Sequence, residues 1–228
     1  MTMRPKHILV LASVAVVIVV GAFWFARDRA FSLPGADIVE KVDRGISPED
    51  MVKFEERIAK QEAVVAEGER DISEILVLGN LYYSVGDLAK AKAAYEDILS
   101  INPNDAAALE NLGQTLIEMG DYARAEARLR AAVNVSAYEP TYIKLADLID
   151  EHFPGRRGEI QGILETAIAN LGQTPGLLVR LGRWYADRGM LAEAISHYEV
   201  ARQLDPENDL IIQEIERLRD LAARQGKK

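Results

Sequence analysis

The 228-residue sequence contains no cysteine and only three histidines. Without cysteine there is no thiolate for a metal site and no lipid attachment of the lipoprotein type, whereas oxidising and reducing compartments both remain open. His7, His152 and His197 are not spaced as metal ligands, and His197 is expected at the surface of a repeat helix. The chain also has no glycine-rich phosphate loop and no nucleophile elbow. We therefore expect a non-enzymatic protein with no catalytic residues, no metal and no cofactor.

Basic residues are also in deficit, since 27 lysines and arginines face 36 aspartates and glutamates, and the formal net charge is −9. The first 29 residues hold four basic residues and one acidic residue, so the rest of the chain carries −12. An acidic domain is repelled by phosphate backbones, which argues against nucleic acid as a partner. Most of these charges are expected to lie on solvated helix faces.

A Leu-Gly dipeptide returns along the chain at Leu78-Gly79, Leu112-Gly113 and Leu181-Gly182. The first two glycines are 34 residues apart and the last two are 69 apart, so one altered copy is expected between them. Large residues recur at intervals of three and four within each copy, which predicts two amphipathic helices per unit. Such a unit cannot bury its apolar face alone and must stack on its neighbours.

The turn between the two helices of a unit has a signal of its own. Gly86, Gly120 and Gly189 fall where a helix end favours the left-handed conformation. Asp87 and Asp121 follow two of these glycines and suit the N-cap of the next helix. The sequence thus predicts a helix–turn–helix in each clear copy.

The altered copy has Ala146 in place of the glycine and an enlarged turn at residues 153–158. Pro154 is expected to end its first helix, because proline cannot continue a helix interior. Ile160 and Leu164 begin the apolar face of its second helix.

This pattern resembles the tetratricopeptide repeat (TPR) family, whose units carry Leu-Gly, an aromatic residue three positions on, and then Ala, an aromatic residue and Pro in the second half. The matching residues are Leu78-Gly79, Tyr82, Ala91, Tyr95 and Pro103 in the first unit and Leu181-Gly182, Tyr185, Ala194, Tyr198 and Pro206 in the last. The resemblance implies an all-α solenoid of helical hairpins. The expected units are residues 72–105, 106–139, 140–173 (degenerate) and 174–207, with an extra N-terminal helix at 47–68 and a C-terminal capping helix at 208–224.

Residues 8–26 form a run of 19 residues without a charge, close to the ~20 that span a bilayer. A cleaved signal peptide is the alternative, but its apolar region is usually ~7–15 residues long and ends in small residues, whereas Phe23, Trp24 and Phe25 end this one. We predict a basic tail at 1–7, a single transmembrane helix at 8–26 and a linker at 27–46. The flanking charges are nearly balanced, but a short basic tail is typical of a bacterial signal anchor, so the repeats are expected on the periplasmic side of the inner membrane.

In TPR proteins the first helices of successive units line a groove that binds peptides, and the resemblance places twelve residues of this chain there. They are Leu76, Asn80, Tyr83, Glu110, Asn111, Gln114, Ile117, Ile143, Lys144, Asp147, Val179 and Arg183. The set combines amides that can bond a peptide backbone, apolar contacts and acids concentrated in the third unit, where Asp150 follows Asp147. Asn80, Asn111 and Lys144 also match part of the TPR subclass that clamps C-terminal carboxylates, but Leu76 and Pro140 replace its lysines.

The leading functional hypothesis is a membrane-anchored adaptor that binds partner proteins or peptides in this groove at the bacterial cell envelope. The alternative is a scaffold whose copies associate with one another along the membrane. Leu210 and Leu221, which lie off the main apolar face of the capping helix, or the enlarged third turn would then supply the contact.

Overall fold

The computed structural model of this chain describes residues 38–225. Within that range the protein is all-α, with a single isolated antiparallel bridge and no other β-structure. The ten helices of this range are α1 (Pro48–Glu67), α2 (Ile72–Ser84), α3 (Leu88–Ile101), α4 (Ala106–Glu118), α5 (Tyr122–Val135), α6 (Glu139–His152), α7 (Glu159–Leu171), α8 (Pro175–Ala186), α9 (Leu191–Leu204) and α10 (Asp209–Gln225), with a 3-10 turn at Pro154–Arg156.

The helices pair as hairpins, α2 with α3, α4 with α5, α6 with α7 and α8 with α9, and each hairpin packs on the next. One apolar core runs from α2 to α8, and a second joins α8, α9 and α10. At the N-terminal end α1 packs on α2, and at the C-terminal end α10 buries Ile211, Ile215 and Leu218 against the last hairpin. The all-α hairpin solenoid predicted from the repeat is confirmed.

The repeated glycines lie where the two helices of a hairpin approach each other. A Cβ added at Gly79 would lie 2.7 Å from a ring carbon of Tyr95, and one added at Gly113 would lie 2.8 Å from a methyl of Leu129. Both distances are shorter than ordinary van der Waals contact. The regular return of Leu-Gly in this chain therefore reports helix packing.

The predicted turn chemistry is also confirmed. Gly86, Gly120 and Gly189 have φ of +81°, +82° and +72°. The Asp87 carboxylate accepts a bond from the backbone N–H of Lys90 and caps α3, and Asp121 caps α5 in the same way. The first two hairpins thus close through a left-handed glycine followed by an acidic N-cap. In the fourth, Met190 follows Gly189 and occupies the N-cap of α9 without a side-chain bond, and in the third, the enlarged turn leads to Gly158 at the N-cap of α7, also without one.

The enlarged turn of the third unit is held by ion pairs on both sides. α6 ends at His152, just before Pro154, as predicted. Arg156 donates two hydrogen bonds to the buried Glu126 carboxylate of α5, at 2.8 and 2.6 Å. Arg157 points the other way and bonds Asp150, at 2.8 Å between Nε and Oδ1. The insertion is therefore a fixed part of the array.

Glu126 makes this turn sensitive to acid. Burial opposes ionisation of its carboxyl, but hydrogen bonds from Arg156 and Arg130 hold its pKa below the ordinary value of about 4.3. Because the folded pKa is the lower one, the stabilisation is complete above about pH 4.3 and is lost as the pH falls through the folded pKa.

We expect Glu126→Gln to lower the free energy of unfolding by about 1–2 kcal/mol at pH 7, since Arg156 is 40% exposed and solvent screens part of the pair. The gap between the variant and the wild type should shrink at about pH 3.5, because the carboxyl of the unfolded wild type, with its pKa of about 4.3, is then largely protonated and folding must release that proton. Urea unfolding at the two pH values measures both effects. Glu49→Gln, at a glutamate that is 84% exposed, is the control and should change little at either pH.

The chain before α1 is docked on the repeats. Residues 38–45, which we call the strap, cross the turns of the first two units, with Lys41 in an isolated antiparallel bridge to Asp87. The backbone N–H of Val39 donates to the carbonyl of Met119 at 3.1 Å, and that of Val42 donates to the carbonyl of Gly86 at 2.9 Å. The N–H of Ala89 donates in turn to the carbonyl of Glu40 at 3.0 Å. This part of the predicted linker is thus bound to the domain that follows it.

Among residues 38–225, no helix has the length and apolar character needed to cross a bilayer. The predicted basic tail and transmembrane helix, residues 1–7 and 8–26, lie outside the described residues.

Candidate peptide-binding groove

Two adjoining cavities, which together we call the groove, lie over the first helices of units one to three. The first has a volume of about 320 Å³ and the second about 410 Å³. Gln114 of α4 and Lys144 of α6 line both cavities and join them. The groove is open to solvent on one side and framed by rigid helices on the other.

The first cavity is built around Asn80. Its side-chain oxygen accepts a bond from the Tyr95 hydroxyl at 2.8 Å and another from the Asn111 amide at 3.0 Å. Burial raises the pKa of the Tyr95 hydroxyl, which therefore stays a proton donor at neutral pH. Because the Asn80 oxygen is fixed in this way, its NH2 group is left to face the cavity and can donate to a ligand carbonyl.

Tyr83 and Glu118 form the edge of this cavity next to the strap. The Tyr83 hydroxyl donates to the Glu118 carboxylate, and burial together with this bond raises the pKa of Tyr83 to about 12. Arg44 of the strap pairs with the same carboxylate at 2.7 Å and lies over the Tyr83 ring, 4.8 Å from its centroid. This end of the groove already holds a cation that the chain itself supplies.

The second cavity combines an apolar floor with acidic groups. Ile117, Ile143 and Leu148 line it, together with the acidic Glu139, Asp147 and Glu151. The Lys144 ammonium pairs with Glu110 at 3.1 Å, so it does not serve as the basic residue of a carboxylate clamp. The cavity therefore suits an apolar side chain with a basic or amide neighbour.

The acids predicted in the third unit are neutralised from the fourth. Arg180 of α8 is 5% exposed and pairs with Asp147 at 2.6 Å and Asp150 at 2.9 Å. Its Nη2 also donates to the carbonyl of Ala146 at 3.4 Å, and its Nη1 is buried with no partner. The acids concentrated in the third unit thus have a buried guanidinium from the fourth unit as their countercharge.

Nine of the twelve predicted groove residues line a cavity. Asn80, Tyr83, Asn111, Gln114 and Lys144 line the first, and Ile117, Ile143 and Asp147 extend the set into the second. Arg183 lines a third and more polar cavity of about 600 Å³ beside the enlarged turn, which shares Asp147 and Glu151 with the second cavity.

The other three predicted groove residues take different places. Leu76 and Val179 are half-buried and pack against the cores, and Glu110 serves as the partner of Lys144. The two cavities of the groove therefore end within the third unit, and the third cavity continues from them toward Arg183.

Three residues of the site are not among those predicted from the sequence. Glu118 follows Gln114 by four positions on the same helix face, so helical spacing alone could have found it. Arg44 and Arg180 carry no such signal, because their partners lie 30 or more residues away in the sequence.

The two histidines of the described chain are aromatic contacts. His152 stacks on Tyr122 at 3.5 Å between ring centroids, and His197 stacks on Tyr185 at 5.1 Å. His197 is half-buried, in contrast to the expected surface position, and burial lowers its pKa. Within residues 38–225, no group of histidine and acidic side chains is arranged to hold a metal ion.

Comparison with known proteins agrees with the hairpin geometry. Residues 82–145 match the tetratricopeptide repeat family model. A search of the curated proteins gives no match. Among solved structures, the chain resembles MamA with a TM-score of 0.60 at 19% identity, covering 74% of this chain and 98% of that one.

Two other similar structures are named TPR proteins. A thermophilic TPR protein of Thermus thermophilus has a TM-score of 0.53 at 18% identity, and the match covers 75% of this chain and 92% of that one. YrrB, described as a TPR protein with an unusual peptide-binding site, has a TM-score of 0.55 at 18% identity, with 72% and 84% covered. Residues 82–145 thus match the tetratricopeptide repeat family model, and the described residues share the stacked-hairpin fold of these solved structures.

Proposed function

We propose that the chain is a non-enzymatic adaptor that binds segments of partner proteins in the groove. The observation that carries this proposal is the pair of joined cavities over α2, α4 and α6, with the Asn80 amide, the Gln114 amide and an apolar floor along one path. Amides on rigid helices suit the backbone of an extended segment, and the apolar floor suits its side chains. The peptide-binding site described for YrrB, whose fold is similar, supports the same use of the solenoid here.

The proposed place of action is the bacterial cell envelope. The uncharged run at residues 8–26 would anchor the chain in the inner membrane, with the repeats on the periplasmic side. The strap begins only 12 residues after this run, so the first two units would lie close to the membrane surface. Partners would thus be collected near the bilayer.

The test is affinity recovery of partners with the full chain in detergent as bait. We expect Asn80→Ala/Gln114→Ala/Arg183→Ala to reduce recovery of specific partners roughly tenfold or more, because two amides of the groove and one cation of the adjoining third cavity are removed. The control is Lys60→Ala/Glu193→Ala/Gln203→Ala, three exposed positions outside the groove, which should recover the same partners as the wild type. Equal recovery by the groove variant and the wild type would remove the groove from the proposal.

A self-associating scaffold is the second candidate, favoured by exposed apolar side chains at the C-terminal end. Leu210 of α10 is 76% exposed, and Leu204 of α9 is 49% exposed. The same recovery experiment separates the candidates. If wild-type bait recovers only untagged copies of itself, and Leu210→Asp abolishes this, the scaffold replaces the adaptor.

A further inference from the structure

The strap has the form of a bound peptide. Its backbone donates to the turn carbonyls of Met119 and Gly86 and accepts from Ala89, and Lys41 forms an antiparallel bridge with Asp87. Val42 is half-buried against the core, and Arg44 reaches the groove, as the other strap side chains do not.

The attachment of the strap is shallow. Ile38 is 40% exposed, Val39 is 41% exposed and the Lys41 side chain is 77% exposed. Three backbone bonds, the Lys41–Asp87 ion pair at 3.7 Å, Val42 and Arg44 therefore hold the segment, with little apolar area removed from water. Segments of this kind open at a much lower free energy than a packed helix.

The contacts of Arg44 show that the site between Tyr83 and Glu118 requires a cation. The Glu118 side chain is only 21% exposed and also accepts the Tyr83 hydroxyl, so a cation must stay beside it to offset its burial. The Tyr83 ring offers a second contact to that cation. Gln114 donates to Glu118 at 3.4 Å, which ties this position to the open cavities beyond.

We propose that the strap is the resident occupant of a peptide site that adjoins the groove at Tyr83, and that partner proteins enter this site with an extended segment carrying apolar-x-Arg or apolar-x-Lys in place of Val42-Asp43-Arg44. The entering segment takes the carbonyls of Gly86 and Met119 and places its cation between Tyr83 and Glu118. Partner binding and strap release are thus one exchange. This inference rests on the proposed adaptor function and names the class of its partner.

The absence of native cysteine allows the strap to be locked reversibly. Residues opposite each other in an antiparallel bridge have Cα atoms about 4.5–5.5 Å apart, within the range that a disulfide spans. Lys41→Cys/Asp87→Cys would close over the bridge, and Arg44→Ala in the same chain would weaken the strap once the disulfide is reduced. One protein in two redox states then supplies its own control.

The probe is a labelled synthetic peptide with the sequence of residues 38–46, and its anisotropy is measured with the full chain in detergent. We expect the reduced triple variant to bind it roughly tenfold or more tightly than the oxidised form, since the locked strap competes at a high effective concentration. A peptide with alanine at the Arg44 position should bind the reduced form roughly tenfold more weakly. Equal binding by both redox states, or no binding by either, would overturn the proposal.

A second copy of the chain is the other occupant to be tested. If the reduced form runs as a dimer at a concentration where the oxidised form is a monomer, the strap is exchanged between copies and the foreign segment is ruled out. If the groove substitutions above abolish partner recovery while both redox states bind the peptide alike, the adaptor function stands and the strap inference falls.

Hydrogen exchange checks the docked state independently. A Cβ at Gly86 would collide with the carbonyl of Val42, whereas one at Gly120 has open space around it, and both glycines have nearly the same φ. Gly86→Ala should therefore lose amide protection at Val39 and Val42, and Gly120→Ala should keep it. Protection that is lost in both variants or in neither would show that the strap is not held at Gly86.

Discussion

Replacing Trp184 with alanine is expected to lower the free energy of unfolding by about 3–5 kcal/mol, the range for removing a large buried aromatic side chain. Trp184 lies on α8, is 6% exposed and belongs to the core that runs back to α2. Its Nε1–H donates to the carbonyl of Arg157 at 2.9 Å, so it also fastens the enlarged turn. The guanidinium of Arg188 covers its ring at 3.8 Å. The variant thus loses packing, a hydrogen bond and a cation–π contact together.

The loss should be concentrated between the third and fourth units. In a repeat array each unit depends on its neighbours, so a weakened interface lets the units unfold separately. Urea unfolding followed by circular dichroism should show a lower midpoint, and hydrogen exchange should rise first at residues 153–158. Trp184→Phe keeps most of the apolar ring but has no N–H. Its stability should lie between those of the wild type and Trp184→Ala, with a loss in the free energy of unfolding of about 1 kcal/mol.

Tyr138→Ala is the matched control for this prediction. Tyr138 is an aromatic residue of the same region but is 53% exposed, so its truncation should cost less than about 0.5 kcal/mol. A cost for Trp184→Ala no greater than that of the control would show that α8 does not depend on this ring.

The parts of the fold that the sequence predicts well are those set by local periodicity. Gly86 and Gly120 are read correctly because a left-handed helix end strongly favours glycine, whatever surrounds it. Ser47 and Pro48 likewise begin α1 through a local rule, with the serine hydroxyl accepting from the N–H of Asp50 at 3.1 Å. Such features need only a few neighbouring residues, all visible in the sequence.

The outline of the groove is predictable, because the helix periodicity and the family resemblance place its residues on one face. The ion pairs of its acidic residues are not predictable in the same way. Asp147 and Asp150 read as solvated acids, and only the stacking of α8 on α6 brings Arg180 between them. Stacking geometry between units has no local signature, so the pairing could not be foreseen.

The docking of the strap on the repeats is not predictable from the sequence for a different reason. It is held mainly through backbone N–H and carbonyl groups, which every sequence carries. Its ion pairs come from Lys41 and Arg44, and in the sequence both residues count equally well as flanking charges of the predicted membrane segment. Contacts of this kind must be found in three dimensions.

Leu129→Ala is expected to lower the free energy of unfolding by about 3 kcal/mol, and a second substitution at Gly113 should restore part of it. Leu129 is fully buried, so its truncation leaves a cavity inside the second hairpin. Gly113 lies directly opposite, where an added Cβ would be 2.8 Å from the Leu129 side chain. In the wild type there is no room for a methyl group at position 113. Gly113→Ala alone should therefore be destabilising by about 1 kcal/mol, despite the better helix propensity of alanine.

In the Leu129→Ala background, Gly113→Ala should be stabilising instead of destabilising. The methyl group that it adds then enters the vacated space, and both packing and helix propensity favour the substitution by about 1 kcal/mol. The double-mutant cycle should therefore give a coupling of roughly 2 kcal/mol. Gly162→Ala on α7, where a Cβ meets nothing within 4 Å, is the control for propensity alone and should stabilise both backgrounds equally. Additive effects of Gly113→Ala and Leu129→Ala would mean that the repeated Leu-Gly motif does not act by fitting a small residue to a large one across the hairpin.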